Sequence, residues 1–86
     1  MNRYSLEIKQ SAQKELDALD DAIFRRIDRK ILLLADNPRP PGCKKLRVYG
    51  DHWRIRVSDW RVVYFIDDTA KHVTITRVAH RREVYE

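Results

Sequence analysis

The spacing of apolar residues changes twice along this chain, and the changes divide it into elements. Tyr4, Leu6 and Ile8 alternate with Arg3, Ser5, Glu7 and Lys9, the period-two pattern of a half-buried strand. From Ser11, a capping residue type, the period lengthens: Ala12, Leu16 and Leu19 fall on one stripe of a short helix. Asp20 or Asp21 then opens a longer helix with an acidic first turn, which suits the positive end of the helix dipole. In it Ile23, Ile27, Ile31 and Leu34 recur at helical spacing, with Arg25, Arg26, Asp28, Arg29 and Lys30 mostly on the other side. Asn37-Pro38 ends the pattern, because a residue before proline avoids the helical region. Residues 11–36 are thus predicted to form an antiparallel helical hairpin.

Arg39-Pro40-Pro41-Gly42 reads as a stiff connector, after which the period returns to two. Leu46, Val48 and Gly50 begin one strand, and Trp53, Ile55 and Val57 mark the next. Ser58-Asp59 is a tight turn, Trp60 to Ile66 a third run, Asp67 to Ala70 another turn, and Val73 to Ala79 the last strand. Short turns between the late strands require antiparallel pairing. The prediction is an α+β domain: an N-terminal strand, then a helical hairpin packed on one face of a mainly antiparallel sheet of four to five strands.

Composition narrows the class. Eighty-six residues, 43% hydrophobic and 36% charged, make a single globular domain, 1–86. A chain this short buries only about 60–65% of its unfolded surface, so a partner that binds the folded form stabilises it appreciably. Cys43 is the lone cysteine, which excludes an intramolecular disulfide and a cysteine-based metal cluster. The N-terminus lacks a signal-peptide core, and no apolar run approaches the roughly 20 residues that span a bilayer. The expectation is a cytoplasmic protein with no membrane, metal or cofactor requirement. The net charge is +5 and uneven: residues 1–43 carry eight Lys/Arg against seven Asp/Glu, and residues 44–86 ten against six. A basic second half suits a polyanion such as nucleic acid, although many basic domains only have solvated charged faces.

The alternation gives that charge a location. On the strand Trp53–Val57, His52, Arg54 and Arg56 point away from the apolar side, and the Ser58-Asp59 turn brings Arg61 close to Arg56. His80, Arg81 and Arg82 add charge near the C-terminus, with Tyr85 beside the last residue. RNA cleavage through the ribose 2′-hydroxyl accumulates negative charge on phosphorus, which fixed guanidinium groups stabilise without metal. An aromatic ring holds a base splayed, and His80 is a titratable candidate for moving protons. The plainer alternatives stand beside this. Arg54 and Arg56 suit the outer face of any exposed sheet, Trp53 and Trp60 suit a core, and His52, His72 and His80 lack metal-ligand spacing.

The run from Asn37 through Gly42-Cys43-Lys44-Lys45-Leu46-Arg47, the segments Trp53-Arg-Ile-Arg-Val57 and Trp60-Arg-Val-Val-Tyr64, and the ending Arg77-Val-Ala-His-Arg-Arg-Glu-Val-Tyr85 together resemble the RelE branch of the RelE/ParE toxin superfamily. The resemblance covers essentially the whole chain and implies a RelE-like, microbial-RNase-like fold. It implies a toxin of a type II toxin–antitoxin system that cleaves mRNA in the ribosomal A site, with a cognate antitoxin through which the complex binds operator DNA. By the same resemblance Arg54 and Arg56 lie at the scissile phosphate and Arg61 stabilises it. Arg81 acts at the leaving group, Tyr85 stacks on an mRNA base, and Lys44, Lys45, Arg47 and Arg82 contact RNA.

The chain departs from its relatives where the best-known members carry lysines in place of Arg54 and Arg56. A lysine with a lowered pKa accepts a proton, whereas arginine keeps its own. The proton acceptor must then be another group. His52, His80 and Asp51 are candidates, and His80 is favoured for its position beside Arg81. The sequence also ends at Glu86, short of the C-terminal helix of some relatives, so inhibition through that helix is not expected. A ParE-like inhibitor of DNA gyrase, and an inactive antitoxin-binding relative, are the competing functions.

Overall fold

The computed structural model describes residues 3–46 and 51–84. The elements are β1 (Ser5–Ile8), α1 (Gln10–Asp17), α2 (Asp21–Leu33), β2 (Lys44–Lys45), β3 (His52–Val57), β4 (Trp60–Asp67) and β5 (His72–His80), closed by a 3₁₀ turn at Arg81–Glu83. They form the predicted α+β architecture: one five-stranded sheet in the order β1-β5-β4-β3-β2, with the helices on one face. All pairs are antiparallel except β1 with β5, which run parallel, so the sheet is mixed.

The helix starts follow two different rules. Asp20 caps α2 as expected, its carboxylate accepting from the Ile23 N–H at 3.1 Å. Ser11 caps nothing. It lies inside α1, whose cap position is Lys9 with no side-chain bond, because the Lys9 N–H is already donated to the Ile75 carbonyl at 3.0 Å. Strand pairing, rather than a capping side chain, thus positions the start of α1. The fourth element also differs from its prediction: β2 is the two residues Lys44–Lys45, upstream of Leu46, while Val48 and Gly50 lie outside the described residues.

The predicted stripes bury themselves. Ala12 and Leu16 from α1 and Ile27, Ile31 and Leu34 from the α2 side meet Ile55, Val57, Val62, Tyr64, Ile66, Val73, Ile75 and Val78 of the sheet. Tyr64 is fully buried, and its hydroxyl donates to the Pro38 carbonyl at 2.7 Å, fixing the connector to the core. Burial pushes its phenol pKa upward. Outside the core a second tie holds the same connector. Asp68 accepts from Arg39 at 3.1 and 2.9 Å and from the Tyr4 hydroxyl at 2.8 Å, and the Arg39 guanidinium lies 4.9 Å from the Trp53 ring centroid. These bonds hold the Asp68 carboxyl at about 2, below its ordinary 3.8.

One irregularity governs everything beyond it. The β4–β5 register shifts between Val63 and Tyr64: Val63 is opposite Arg77, and Tyr64 is opposite Ile75. Thr76 is the extra residue of this bulge, and its hydroxyl donates to the Val63 carbonyl at 3.2 Å. Before the bulge Val73 and Ile75 face the helices; after it Val78 does. Strict alternation from Val73 would instead have turned residues 77 and 79 inward. The bulge reverses the faces, so Arg77 and Ala79 join the side away from the helices, and His80 turns toward them.

Candidate functional site

The open face is a grid read from the strand register. One row runs Lys44, Arg54, Val63, Arg77 across β2, β3, β4 and β5, and the next runs Arg56, Arg61, Ala79. The expected approach of Arg56 and Arg61 is therefore a direct cross-strand pairing. Two like charges placed opposite each other repel, so the fold tolerates a local cost here that other contacts must offset.

The expected uncovered surface is only partly uncovered. Leu46, Val63, Ala79 and Val84 form a second apolar cluster on this side. Beside it, Arg54 is 4% and Arg61 6% exposed, whereas Arg56 is exposed. Each buried guanidinium is anchored to main chain. Arg54 Nη1 donates to the Gly42 carbonyl at 3.0 Å, and Arg61 Nη1 donates to the Trp60 and Ser58 carbonyls at 3.0 and 3.3 Å. The connector reaches Arg54 through a left-handed turn at Gly42, φ 91°, a conformation that favours glycine. Arg54, Arg56 and Ile55 also line a cavity of about 330 Å³ at the β3 edge, with Lys30, Leu33 and the Pro40–Pro41–Gly42 segment.

The remaining predicted residues divide by position. Arg81 comes to the turn that Arg61 caps: its N–H donates to the Asp59 carbonyl at 2.7 Å, and its Nε lies 3.9 Å from the Asp59 carboxylate. It stays exposed. Lys44 shares the open face with Arg54. Lys45 does not, because its cross-strand partner is Trp53, which packs on the helix side, and its amine lies 3.5 Å from Asp51. His80 is also on the helix side. It is opposite Trp60, their ring centroids 5.6 Å apart, and its Nδ1 accepts from the Arg82 backbone N–H and Nε–H at 3.4 and 3.2 Å. The structure thus places His80 on the opposite face from Arg54, Arg56 and Arg61, and it makes Arg82 a neighbour of His80. Tyr85 and Arg47 lie outside the described residues.

Two residues that sequence reasoning passed over belong to this region. Arg77 enters the open face through the bulge, and the doublet Thr76-Arg77, which breaks the alternation, was the available signal. Glu15 on α1 holds it there. One carboxylate oxygen lies 3.5 Å from Arg77 Nη2, and the other accepts from the Val78 N–H at 2.9 Å, past the point where β1 pairing ends at Ile75. An otherwise open sheet edge is thereby closed by a side chain.

Among the described residues no group of His, Cys, Asp and Glu is placed to hold a metal, and no helix is long and apolar enough to cross a membrane. The chemistry on offer is cationic: buried guanidinium groups anchored to main chain beneath, and exposed ones at the rim.

Comparisons with known proteins agree with this architecture. The family described as ParE toxin of type II toxin–antitoxin system, parDE, matches residues 6–85. A putative RelE-like toxin protein of Escherichia coli is 33% identical over 81 residues, covering 92% of this chain and 84% of that protein. The archaeal RelE–RelB complex of Pyrococcus horikoshii OT3 contains a chain with TM-score 0.82 and 28% identity, covering 98% of this chain and 100% of that one. The RelBE2 toxin–antitoxin complex of Mycobacterium tuberculosis contains one with TM-score 0.81 and 27% identity, covering 92% and 99%.

Proposed function

This chain belongs to the RelE/ParE toxin family of type II toxin–antitoxin systems, and from that premise we propose that it is a ribosome-dependent endoribonuclease that cleaves mRNA in the A site. The observation that carries this reading is the pairing of exposed Arg56 with buried Arg61 on the open face, in a grid with Lys44, Arg54 and Arg77. In the proposed reaction, the 2′-hydroxyl oxygen attacks the adjacent phosphorus and displaces the 5′-oxygen. Arg56 and Arg81 contact the phosphate directly. Arg54 and Arg61, fixed by carbonyls, supply positive potential that needs no reorganisation as charge develops. Tyr85 stacks on a base, and Lys44, Arg47 and Arg82 hold the flanking strand. No cofactor is required, and the target places the protein in the cytoplasm.

A cognate antitoxin is the proposed regulator, supported by relatives that crystallise as RelE–RelB complexes. An acidic, partly disordered segment would bind the accessible cations, Arg56 and Arg81, because Arg54 and Arg61 are already buried. The complex would reach operator DNA through the antitoxin.

A second reading has specific support: the matching family is a ParE toxin, and a gyrase inhibitor would need Arg54 and Arg61 only as framework. Primer extension on a defined mRNA in stalled, programmed ribosomes separates the two. Cleavage within the A-site codon, absent on naked RNA and lost with Arg56→Ala, is the expected result. Intact mRNA together with inhibition of gyrase supercoiling would replace the nuclease reading by the second one.

A further inference from the structure

The proposed reaction needs a group that takes the 2′-hydroxyl proton, and the arginines cannot supply it. A guanidinium has no acceptor site and keeps its proton at physiological pH. His80, placed on the helix side against Trp60, is one strand face away from the phosphate-binding grid. Three carboxylates near the open face are held by other groups. Glu15 holds the Val78 N–H and Arg77, Glu7 lies 3.1 Å from His72 Nε2, and Asp59 faces Arg81 beyond the hairpin turn. His72 shares the open face at the far end of β5, where its Nδ1 is 2.6 Å from the Ser5 hydroxyl.

His52 is different in position. It opens β3, two residues before Arg54, so both side chains leave the same face of one strand, their Cα atoms about 6.7 Å apart. Its ring is half-buried and lies against Phe65, the residue opposite it on β4, at 5.7 Å between centroids and 54° between planes. That contact restricts the imidazole to one side of the Arg54 row. Among the described residues the charged groups near it are Arg54 on its own strand, Lys44 and Lys45 on β2, and adjacent Asp51, which is paired with Lys45; on β4 the neutral Phe65 ring is opposite it, and Asp67, two residues further along the same face, accepts from the Ala70 N–H. An imidazole is thus held on the same face as the cationic grid, one strand repeat from Arg54 and two from Arg56.

We infer that His52 is the catalytic proton acceptor for the 2′-hydroxyl, an inference that rests on the nuclease reading above. A ring nitrogen takes the proton as the 2′-oxygen bonds to phosphorus. The bond from phosphorus to the 5′-oxygen breaks, and that oxygen takes a proton from water. The products are a 2′,3′-cyclic phosphate and a 5′-hydroxyl, and the imidazolium returns its proton to the hydroxide left behind.

The test is single-turnover cleavage of mRNA in programmed ribosomes across pH, for the parent protein, His52→Gln, His52→Ala and His72→Gln, each first shown by circular dichroism to be folded. His52→Gln should cut roughly 10²- to 10⁴-fold more slowly, the usual worth of a general base, and lose the acid limb of the parent's pH–rate profile. Added imidazole should restore part of the rate of His52→Ala, while His72→Gln keeps the parent rate. A His52→Gln protein with the parent's rate and profile overturns the assignment while leaving A-site cleavage intact. So does slow cleavage that keeps the acid limb and ignores imidazole, which marks a merely positioning role. If His52→Gln fails to fold, imidazole rescue of His52→Ala or of His52→Asn decides alone. A parent protein that leaves mRNA whole overturns the inference together with the reading beneath it.

Discussion

The two faces of this sheet are built from the same alternating strands and obey different rules. On the helix side every inward position of β3 and β4 is apolar, and burial follows directly from the pattern. On the open side the equivalent positions carry Arg54, Arg56 and Arg61, and burial follows from what happens to lie above them. Leu46 and Val84 close over Val63 and Ala79, and two of the three arginines are sequestered while Arg56 is not. Alternation therefore tells which face a residue is on. Whether a charge on that face is framework or contact is decided by segments distant in sequence.

The sharpest way to test this division is to weaken each face separately. Ile27→Ala on the helix side empties a fully buried site and should cost about 2–5 kcal/mol, a large share of the stability of so small a domain. Denaturant unfolding should show a much lower midpoint, or no cooperative transition. Arg56→Ala on the open side should leave the unfolding free energy within about 0.5 kcal/mol of the parent. Its cleavage rate in programmed ribosomes should fall roughly 10²- to 10³-fold, as when a transition-state donor is removed. If Arg56→Ala unfolds the protein, or leaves cleavage intact, the open face is not organised as described.

Within the open face, Arg54→Ala should behave unlike Arg56→Ala. It removes the donor to the Gly42 carbonyl and should destabilise by about 1–3 kcal/mol, lowering activity partly through the fold. Equal stability of the two variants would show that the buried and exposed arginines do not differ in role.

How much of this was legible beforehand depends on distance from the bulge. The hairpin at Ser58-Asp59 is two residues long, so the Arg56–Arg61 pairing could be counted across it, and the observed register agrees. The helical stripes were equally legible, because Ala12, Leu16, Ile27 and Ile31 repeat at helical spacing and all are buried. Past Thr76 counting fails. One extra residue reverses the faces, so His80 leaves the arginines that its neighbour Arg81 suggested, and Arg77 joins them. Nothing local in the sequence marks Arg54 as buried, since its guanidinium meets the Gly42 carbonyl 12 positions away, and the apolar cluster on the same face draws Leu46 and Val84 from distant segments. Ser11 misled for a related reason: a good capping residue loses its place when strand pairing fixes the chain one step earlier.

The smallest expected effect lies outside both faces, at the tie that joins the connector to the β4–β5 turn. Asp68 accepts from Arg39 and Tyr4, and these bonds lower its folded-state value to about 2 from 3.8. A carboxyl depressed in this way favours the folded state while ionised. Its contribution is complete above pH 3.8 and is lost as pH falls toward about 2. The side chain is more than half exposed, so screening keeps the effect small. Thermal unfolding of the parent and of Asp68→Asn, followed through that acid window, should show the parent's advantage shrinking as Asp68 protonates and constant at neutral pH. Added salt should narrow the difference. A gap that persists unchanged to the acid end of the window would mean that the aspartate stabilises through shape rather than charge. The Arg39 contact with Trp53 would then be the tie that matters, and Arg39→Lys, which loses the planar stack but keeps the charge, would be the more damaging substitution.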